Sequence, residues 1–188
     1  TANRLGTATR ALDMRGGVLE VIPNAAGSSH ITTGVLNVYT GGSTINLGAG
    51  GSNELKFGSM GTTGGGTLNL IGTFGTSTNK LTFTATPGQS NGLITRVTVN
   101  GDSFATYNAT NGVVAFTNYS SAMNVLSAAG TATYQATYNK ANSLTGAQTI
   151  SALALTSDAA GSVALDGLGG FNPSTLTISS GAVLVNTN

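Results

Sequence analysis

Short units of alternating apolar and polar residues recur along the chain, and the clearest set lies at 51–85. These units are Leu-Lys-Phe at 55–57, Leu-Asn-Leu at 68–70 and Leu-Thr-Phe at 81–83, and they follow one another at equal intervals. Alternation over so few residues is typical of a short strand with one buried face. Because Gly, Thr, Ser and Asn fill the intervals, the fixed spacing predicts a coil that winds up an axis.

The same alternation is present on both sides of this stretch. Apolar positions that look equivalent lie about 20 residues apart, as expected for the turns of a repeat protein. The pairs are Leu19 and Leu36, Leu36 and Leu55, Leu153 and Leu176, Val163 and Val183. This spacing predicts a β-helix with two strands per turn, about 20 residues per turn and about nine turns.

Asn-Gly pairs mark the sharpest turns in the sequence, at 91–92, 100–101 and 111–112. Asn and Gly both take positive φ readily, which suits a two-residue hairpin turn. The pair at 100–101 lies between two alternating segments, 97–99 and 104–107, and therefore predicts a local hairpin.

The fold class that these patterns predict is all-β: a parallel β-helix, or β-solenoid, with short strands and turns rich in Gly, Asn and Thr. We expect a single domain spanning 1–188, with a less regular central part at about 92–145. Leu68, Leu70, Leu81 and Phe83 are the expected core positions of the three-fold stretch. Asn and Thr at equivalent positions of successive turns would form side-chain ladders.

Composition and charge mainly exclude classes of partner and site. Only 7% of the residues are charged and the net charge is +1, so nothing indicates nucleic acid or a membrane surface as a partner. The chain has no Cys, which excludes disulfides and thiolate metal sites. No apolar run approaches the roughly 20 residues that span a bilayer, so we expect no membrane insertion.

Five short motifs are spread over nearly the whole chain: Asn-Arg-Leu-Gly at 3–6, Arg-Gly-Gly-Val-Leu-Glu at 15–20, Gly-Gly-Thr-Leu-Asn-Leu at 65–70, Val-Asn-Gly-Asp-Ser-Phe-Ala-Thr-Tyr at 99–107 and Leu-Thr-Ile-Ser-Ser-Gly at 176–181. With these motifs the chain resembles the autotransporter-associated β-strand repeat proteins, which are large secreted, passenger-like proteins of bacteria. The resemblance implies a right-handed parallel β-helix, located extracellularly or on the bacterial cell surface. It implies no catalytic residues, because a structural repeat defines the family.

Residues that carry chemistry are few and scattered. His30 has no second metal ligand at a recognisable spacing, which indicates an exposed or turn histidine. Asp158 and Asp166 would meet across a turn with Lys140 nearby, in the kind of arrangement that a polysaccharide-active enzyme needs. That pairing is the enzymatic alternative. The principal prediction is a protein with no catalytic residues, no metal and no cofactor.

Two groups of surface residues are candidates for binding. Arg4, Arg10 and Arg15 form a mild basic cluster, which is typical of a solvated edge; the alternative is a contact with a neighbouring subunit. Tyr134 and Tyr138 have even spacing on a predicted strand, so both rings would lie on one face. Ordinary packing is the first interpretation of these tyrosines, and stacking against a glycan is the second.

The sequence shows no polar cap at either end of the predicted solenoid. The first alternating strand begins shortly after Thr1, and the last strand contains Ala182, Val183, Leu184 and Val185. Because open strand edges recruit other strands, we expect a head-to-tail homopolymer that uses these four residues and the basic cluster. The alternative is a sequence that continues as a longer solenoid.

The sequence therefore predicts a non-enzymatic extracellular structural protein, a β-solenoid subunit or segment of a bacterial surface fibre. The second hypothesis is a passenger adhesin that binds glycan or a host surface. The third is a polysaccharide-active β-helix enzyme. Uncapped ends would favour the first hypothesis, an exposed aromatic or polar stripe the second, and a charged cleft the third.

Overall fold

The computed structural model describes residues 8–22, 28–48, 51–121, 125–126, 133–137, 142–144, 147–157, 165–167 and 175–187. Within these ranges the secondary structure consists of strands and turns, without helix. The chain divides into two compact units, Thr1–Phe116 (unit 1) and Thr117–Asn188 (unit 2). The boundary falls inside the central part that the sequence predicts to be less regular, and the single-domain interpretation of 1–188 stays a prediction.

The chain forms stacked parallel coils, a β-solenoid of about five turns, which confirms the predicted fold class. In unit 1 the first sheet has the strand order β1-β3-β5-β7, and the second sheet has the order β12-β11-β10-β6-β4-β2. The strands of unit 1 are β1 (Leu12–Met14), β2 (Gly17–Val21), β3 (Ser28–Val38), β4 (Gly42–Leu47), β5 (Ser52–Thr62), β6 (Thr67–Gly72), β7 (Asn79–Phe83), β8 (Gln89–Ser90), β9 (Leu93–Ile94), β10 (Val97–Val99), β11 (Ser103–Asn108) and β12 (Gly112–Ala115).

The interval between the three short units of the sequence corresponds to half a coil. Leu55 pairs with Leu81 in the first sheet, whereas Leu68 lies between them in the chain but on the second sheet. A full coil runs from Asn53 to Asn79, which are 26 residues apart, and an earlier one runs from Asp13 to Asn37, which are 24 residues apart. The prediction of about 20 residues per turn and about nine turns was wrong, because these coils are longer and the turns fewer.

The predicted alignment of Leu19, Leu36 and Leu55 was also wrong. Leu19 lies in the second sheet and pairs with Ile45, whereas Leu36 lies in the first sheet and pairs with Met60. Alternation identified each of these segments as a strand, but both sheets of a coil have the same alternation. The sequence spacing therefore joined Leu19 to a strand of the other sheet, and it joined Leu36 to the correct neighbouring strand in the wrong register.

The long strands β3 and β5 each turn a corner at a glycine. Before Gly34 the inward-facing residues of β3 have odd numbers, and after it they have even numbers. The backbone of a preceding coil lies against this corner, because Gly34 N donates to Arg10 O at 2.8 Å and a Cβ on Gly34 would overlap the Thr9 carbonyl. Gly58 is the equivalent corner of β5 and accepts a hydrogen bond from Ala85 N at 2.8 Å. Each long strand thus has a first arm (28–33 or 52–57) and a second arm (35–38 or 59–62).

Aliphatic and aromatic side chains fill the inside of the unit 1 coils. The predicted core residues Leu68, Leu70, Leu81 and Phe83 are all buried, with exposures of 6% or less. The Phe57 and Phe83 rings stack with centroids 5.8 Å apart. Burial of side chains of this size contributes about 1.5–3 kcal/mol each to stability.

Polar ladders join successive coils, as the sequence predicts. The Asn53 amide donates to Asn79 Oδ1 at 2.9 Å, from a side chain that is almost completely buried. On the second sheet, Thr98 Oγ1 donates to Asn69 Oδ1 at 3.0 Å. These bonds satisfy polar groups that the parallel stacking places directly above one another.

The parallel stack of unit 1 ends in an antiparallel hairpin. Strand β10 pairs parallel with β6 on one side and antiparallel with β11 on the other, and β11 pairs antiparallel with β12. Asn100, Gly101 and Asp102 connect β10 to β11, and the φ angles of Asn100 and Gly101 are 55° and 73°; the predicted hairpin is confirmed, with a loop of three residues.

Unit 2 contains two further parallel sheets, with orders β13-β15-β17-β19 and β14-β16-β18. Leu153 pairs with Val183 rather than with Leu176, so the predicted alignment of the two leucines was wrong; Val163 lies outside the described residues. The strands are β13 (Ser120–Ser121), β14 (Val125–Leu126), β15 (Thr133–Thr137), β16 (Asn142–Leu144), β17 (Gln148–Ser157), β18 (Leu165–Gly167) and β19 (Leu176–Thr187).

Candidate functional site

The predicted assembly residues Ala182, Val183, Leu184 and Val185 lie on β19, the edge strand of its sheet. Strand β19 pairs with β17 at nine positions on one side, which leaves its other backbone edge without a strand among the described residues. Leu153 of β17 and Val183 of β19 are paired and form one column of the stacked sheet. Leu153 is 2% exposed, whereas Val183 is 52% exposed. Val185 is 64% exposed. An apolar edge strand of this length is a surface that recruits further strands.

The basic cluster is only partly described, since Arg4 lies outside the described residues. Arg10 and Arg15 are exposed and flank β1, an edge strand of the first sheet. The Arg15 guanidinium lies 4.0 Å from the centroid of the Tyr39 ring, which is a cation–π contact. Backbone atoms of Arg10 serve the fold, because its carbonyl accepts hydrogen bonds from Gly34 N and Thr33 Oγ1.

His30 lies on strand β3 rather than in a turn. Its side chain is 58% exposed, which confirms the predicted exposure. Its Nδ1 atom lies 3.2 Å from Glu54 Oε2 on the next coil. Glu54 Oε1 also accepts a hydrogen bond from Thr82 Oγ1 at 3.1 Å. The three side chains make a polar ladder on the outer face of the first sheet. Such exposed contacts contribute little to stability.

The side chains of the predicted glycan-stacking pair and of the predicted carboxylate pair lie outside the described structure. Tyr134 is part of β15, and Asp166 is part of β18, but only their strand positions belong to the described structure. Tyr138, Lys140 and Asp158 lie outside the described residues. The glycan-stacking pair and the carboxylate pair therefore stay predictions.

A groove beside the second arm of β5 was not predicted from the sequence. Its volume is about 310 Å³, and its lining includes Met60, Thr62, Pro87, Gln89, Ile94 and Thr95. The chain leaves the coil after Ala85 and passes through the β8–β9 hairpin before β10 rejoins the second sheet. Pro87 and Gly88 interrupt the alternation at this point, which is the only signal of the groove that the sequence offers.

Among the described residues, no group of three or more His, Asp or Glu side chains is arranged to hold a metal ion. The described part of the chain also contains no helix of the length and hydropathy that would cross a membrane. Comparisons of this chain with protein-family models, curated proteins and solved structures found no match.

Proposed function

We propose that the protein is a non-enzymatic structural β-solenoid, whose edge strand β19 stacks against a further coil in a bacterial surface fibre. Among the described residues β19 is an edge strand, and the exposure of its Val183 and Val185 carries this proposal. Leu153, the partner of Val183 on β17, is 2% exposed, and an added coil would cover Val183 as β19 covers Leu153. The resemblance to autotransporter-associated repeats supports the extracellular location.

The other partner of a head-to-tail contact would be the β1 and β2 edge of unit 1. Both strands are edge strands among the described residues, and Val18 on β2 and Ile22 directly after it are 70% and 77% exposed. Arg10 and Arg15 lie next to β1 and would border the contact. Unlike surfaces that meet in this way do not close on themselves, so the association would continue into a fibre.

The test is sedimentation velocity and negative-stain microscopy of the 188-residue chain at micromolar concentration. The double variant Val183→Lys/Val185→Lys should abolish fibres, because each added charge would have to be buried by the next coil. Ile71→Lys is the matched control, since it adds a charge at an exposed apolar position of β6, a strand that is already paired on both sides. A folded monomer that forms no fibres at any concentration would refute self-assembly, and equal assembly of all variants would refute the assignment to β19.

A further inference from the structure

The second arm of β5 has a backbone edge without a strand partner inside the groove. Three strands are stacked in this column, since Leu12 of β1 pairs with Leu36 of β3, and Leu36 pairs with Met60 of β5. The pairing of β7 with β5 ends at Phe57 and Phe83, and the last backbone bonds along it are Thr84 N to Phe57 O and Ala85 N to Gly58 O. A fourth strand is therefore missing beside 59–62 among the described residues.

The direction of the free backbone groups follows from the parallel ladder. Thr63 N donates to Val38 O at 2.9 Å, so the amide of Thr63 faces β3. Neighbouring residues of a strand direct their backbone groups to alternate sides, so Met60 and Thr62 direct their N–H and C=O groups into the groove. Within the described structure no backbone group bonds to these atoms from the groove side.

The residues around the groove leave room for a single added strand but not for a whole added coil. The β11–β12 hairpin lies over β7, because Tyr107 OH donates to Phe83 O and accepts from Phe83 N at 3.1 and 3.2 Å. It also covers β10 by antiparallel pairing. A complete coil of a second copy would need both of these edges. The position beside Met60 and Thr62 is the part of this end of unit 1 that the hairpin leaves open.

From this arrangement we propose that the groove binds a short extended peptide segment of another protein by β-augmentation, with the segment as the fourth strand of the column. The N–H and C=O groups of Met60 and Thr62 would form the ladder. An inward side chain above Met60 would meet Ile94 and Pro87, which favours an aliphatic residue. The groove lining contains no Lys, Arg, Asp or Glu, so the segment would be uncharged.

The loop that forms the other wall is held in place by the hairpin. Gln89 Oε1 accepts hydrogen bonds from Thr106 Oγ1 at 3.1 Å and from Tyr107 N at 3.4 Å. Gln89 is therefore already bonded to β11, and the peptide is not needed to order it. A preformed groove of this kind lowers the entropic cost of binding.

The probe is a fluorescently labelled acetyl-Thr-Val-Thr-Val-Thr-amide peptide, titrated with the 188-residue chain and followed by anisotropy. We expect saturable binding with a Kd of about 0.1–1 mM, as is reasonable for so few residues. The same peptide with a fully N-methylated backbone should not bind, because it has no ladder donors. In the complex, amide hydrogen exchange should slow at least about tenfold at Met60 and Thr62. Equal binding of both peptides, or protection at β19 instead, would overturn the proposal.

Thr62→Pro removes the backbone N–H of Thr62, which faces the groove and does not bond to β3. The substitution should preserve the fold, since proline is tolerated where the N–H of an edge strand is free. We expect it to raise the peptide Kd at least about fivefold, and Thr62→Ser to leave it unchanged. Far-UV circular dichroism checks the fold of both variants, and the two-peptide comparison on the unaltered chain needs no substitution. If the peptide dissociated dimers of the chain, the occupant would be a second copy, and the proposed partner would be wrong.

Discussion

At the scale of single residues, Leu70 and Ile71 show how strongly the two faces of a strand differ. They are neighbours on β6, but Leu70 is fully buried and Ile71 is 41% exposed. We expect Leu70→Asp to lower the free energy of unfolding by about 4 kcal/mol, because it buries a carboxylate that has no partner. Ile71→Asp introduces the same charge on the outer face and should cost less than about 1 kcal/mol.

Urea unfolding followed by circular dichroism measures both changes. Similar losses for the two variants would contradict the assignment of Leu70 to the core and Ile71 to the outer face. The burial of Leu70 was predictable from the sequence, since alternation alone distinguishes inward from outward positions. The contacts of Gly34 were not, because they depend on Thr9 and Arg10, which belong to a preceding coil and are distant in the chain.

At the scale of elements, the Tyr107 side chain bonds the β11–β12 hairpin to the backbone of β7, the last strand of the first sheet. The Tyr107 ring packs against the Phe83 ring at a tilt of 60° with centroids 6.0 Å apart, and the Tyr107 hydroxyl bonds to both backbone groups of Phe83. Tyr107→Phe keeps the ring and removes these two hydrogen bonds. We expect a loss of about 1–2 kcal/mol in the free energy of unfolding.

Tyr39→Phe is the matched control, because Tyr39 contributes its ring to the Arg15 contact. It should change the free energy of unfolding by less than about 0.5 kcal/mol. Hydrogen exchange adds a local measurement, since the amide of Phe83 should exchange faster in Tyr107→Phe. An unchanged exchange rate at Phe83 would show that the hydroxyl does not protect this edge.

The elements were more predictable than their pairing. The sequence placed the Asn100–Gly101 turn and the strands beside it, since Asn-Gly is a local signal. It matched Leu153 to Leu176, whereas the register joins Leu153 to Val183 farther along the chain. Strand partners depend on the lengths of the intervening turns and loops, which alternation does not report. The groove beside Met60 was missed for a related reason: it exists because a strand is absent from one column.

At the scale of the whole molecule, the small number of charges predicts a stability that depends little on salt. The 188 residues include seven Lys and Arg and six Asp and Glu, and the ion-pair geometry of the described part is limited to His30 with Glu54 on the surface. In the described coils Asn53 bonds to Asn79 and Thr98 to Asn69, and none of these four side chains is charged. We expect 1 M NaCl to change the free energy of unfolding by less than about 0.5 kcal/mol.

Urea titrations at low and high NaCl measure this effect, because urea itself adds no charge. A shift above about 2 kcal/mol would mean that charged groups contribute more than the described contacts account for. The same comparison with His30→Ala isolates the contribution of the pair between His30 and Glu54. That substitution should leave both the stability and the salt response unchanged.

The parallel coils of unit 1 also determine how the protein would respond to mechanical force. Each coil forms its ladders with the coil before it and the coil after it, so a pull on one end would peel strands one coil at a time. A coil such as the one that separates Leu12 from its partner Leu36 would release about 80 Å of extended chain. Unit 1 would then lengthen in repeated small steps, each of which dissipates part of the mechanical work. The β11–β12 hairpin, which holds the last coil, would set the force at which peeling from that end begins.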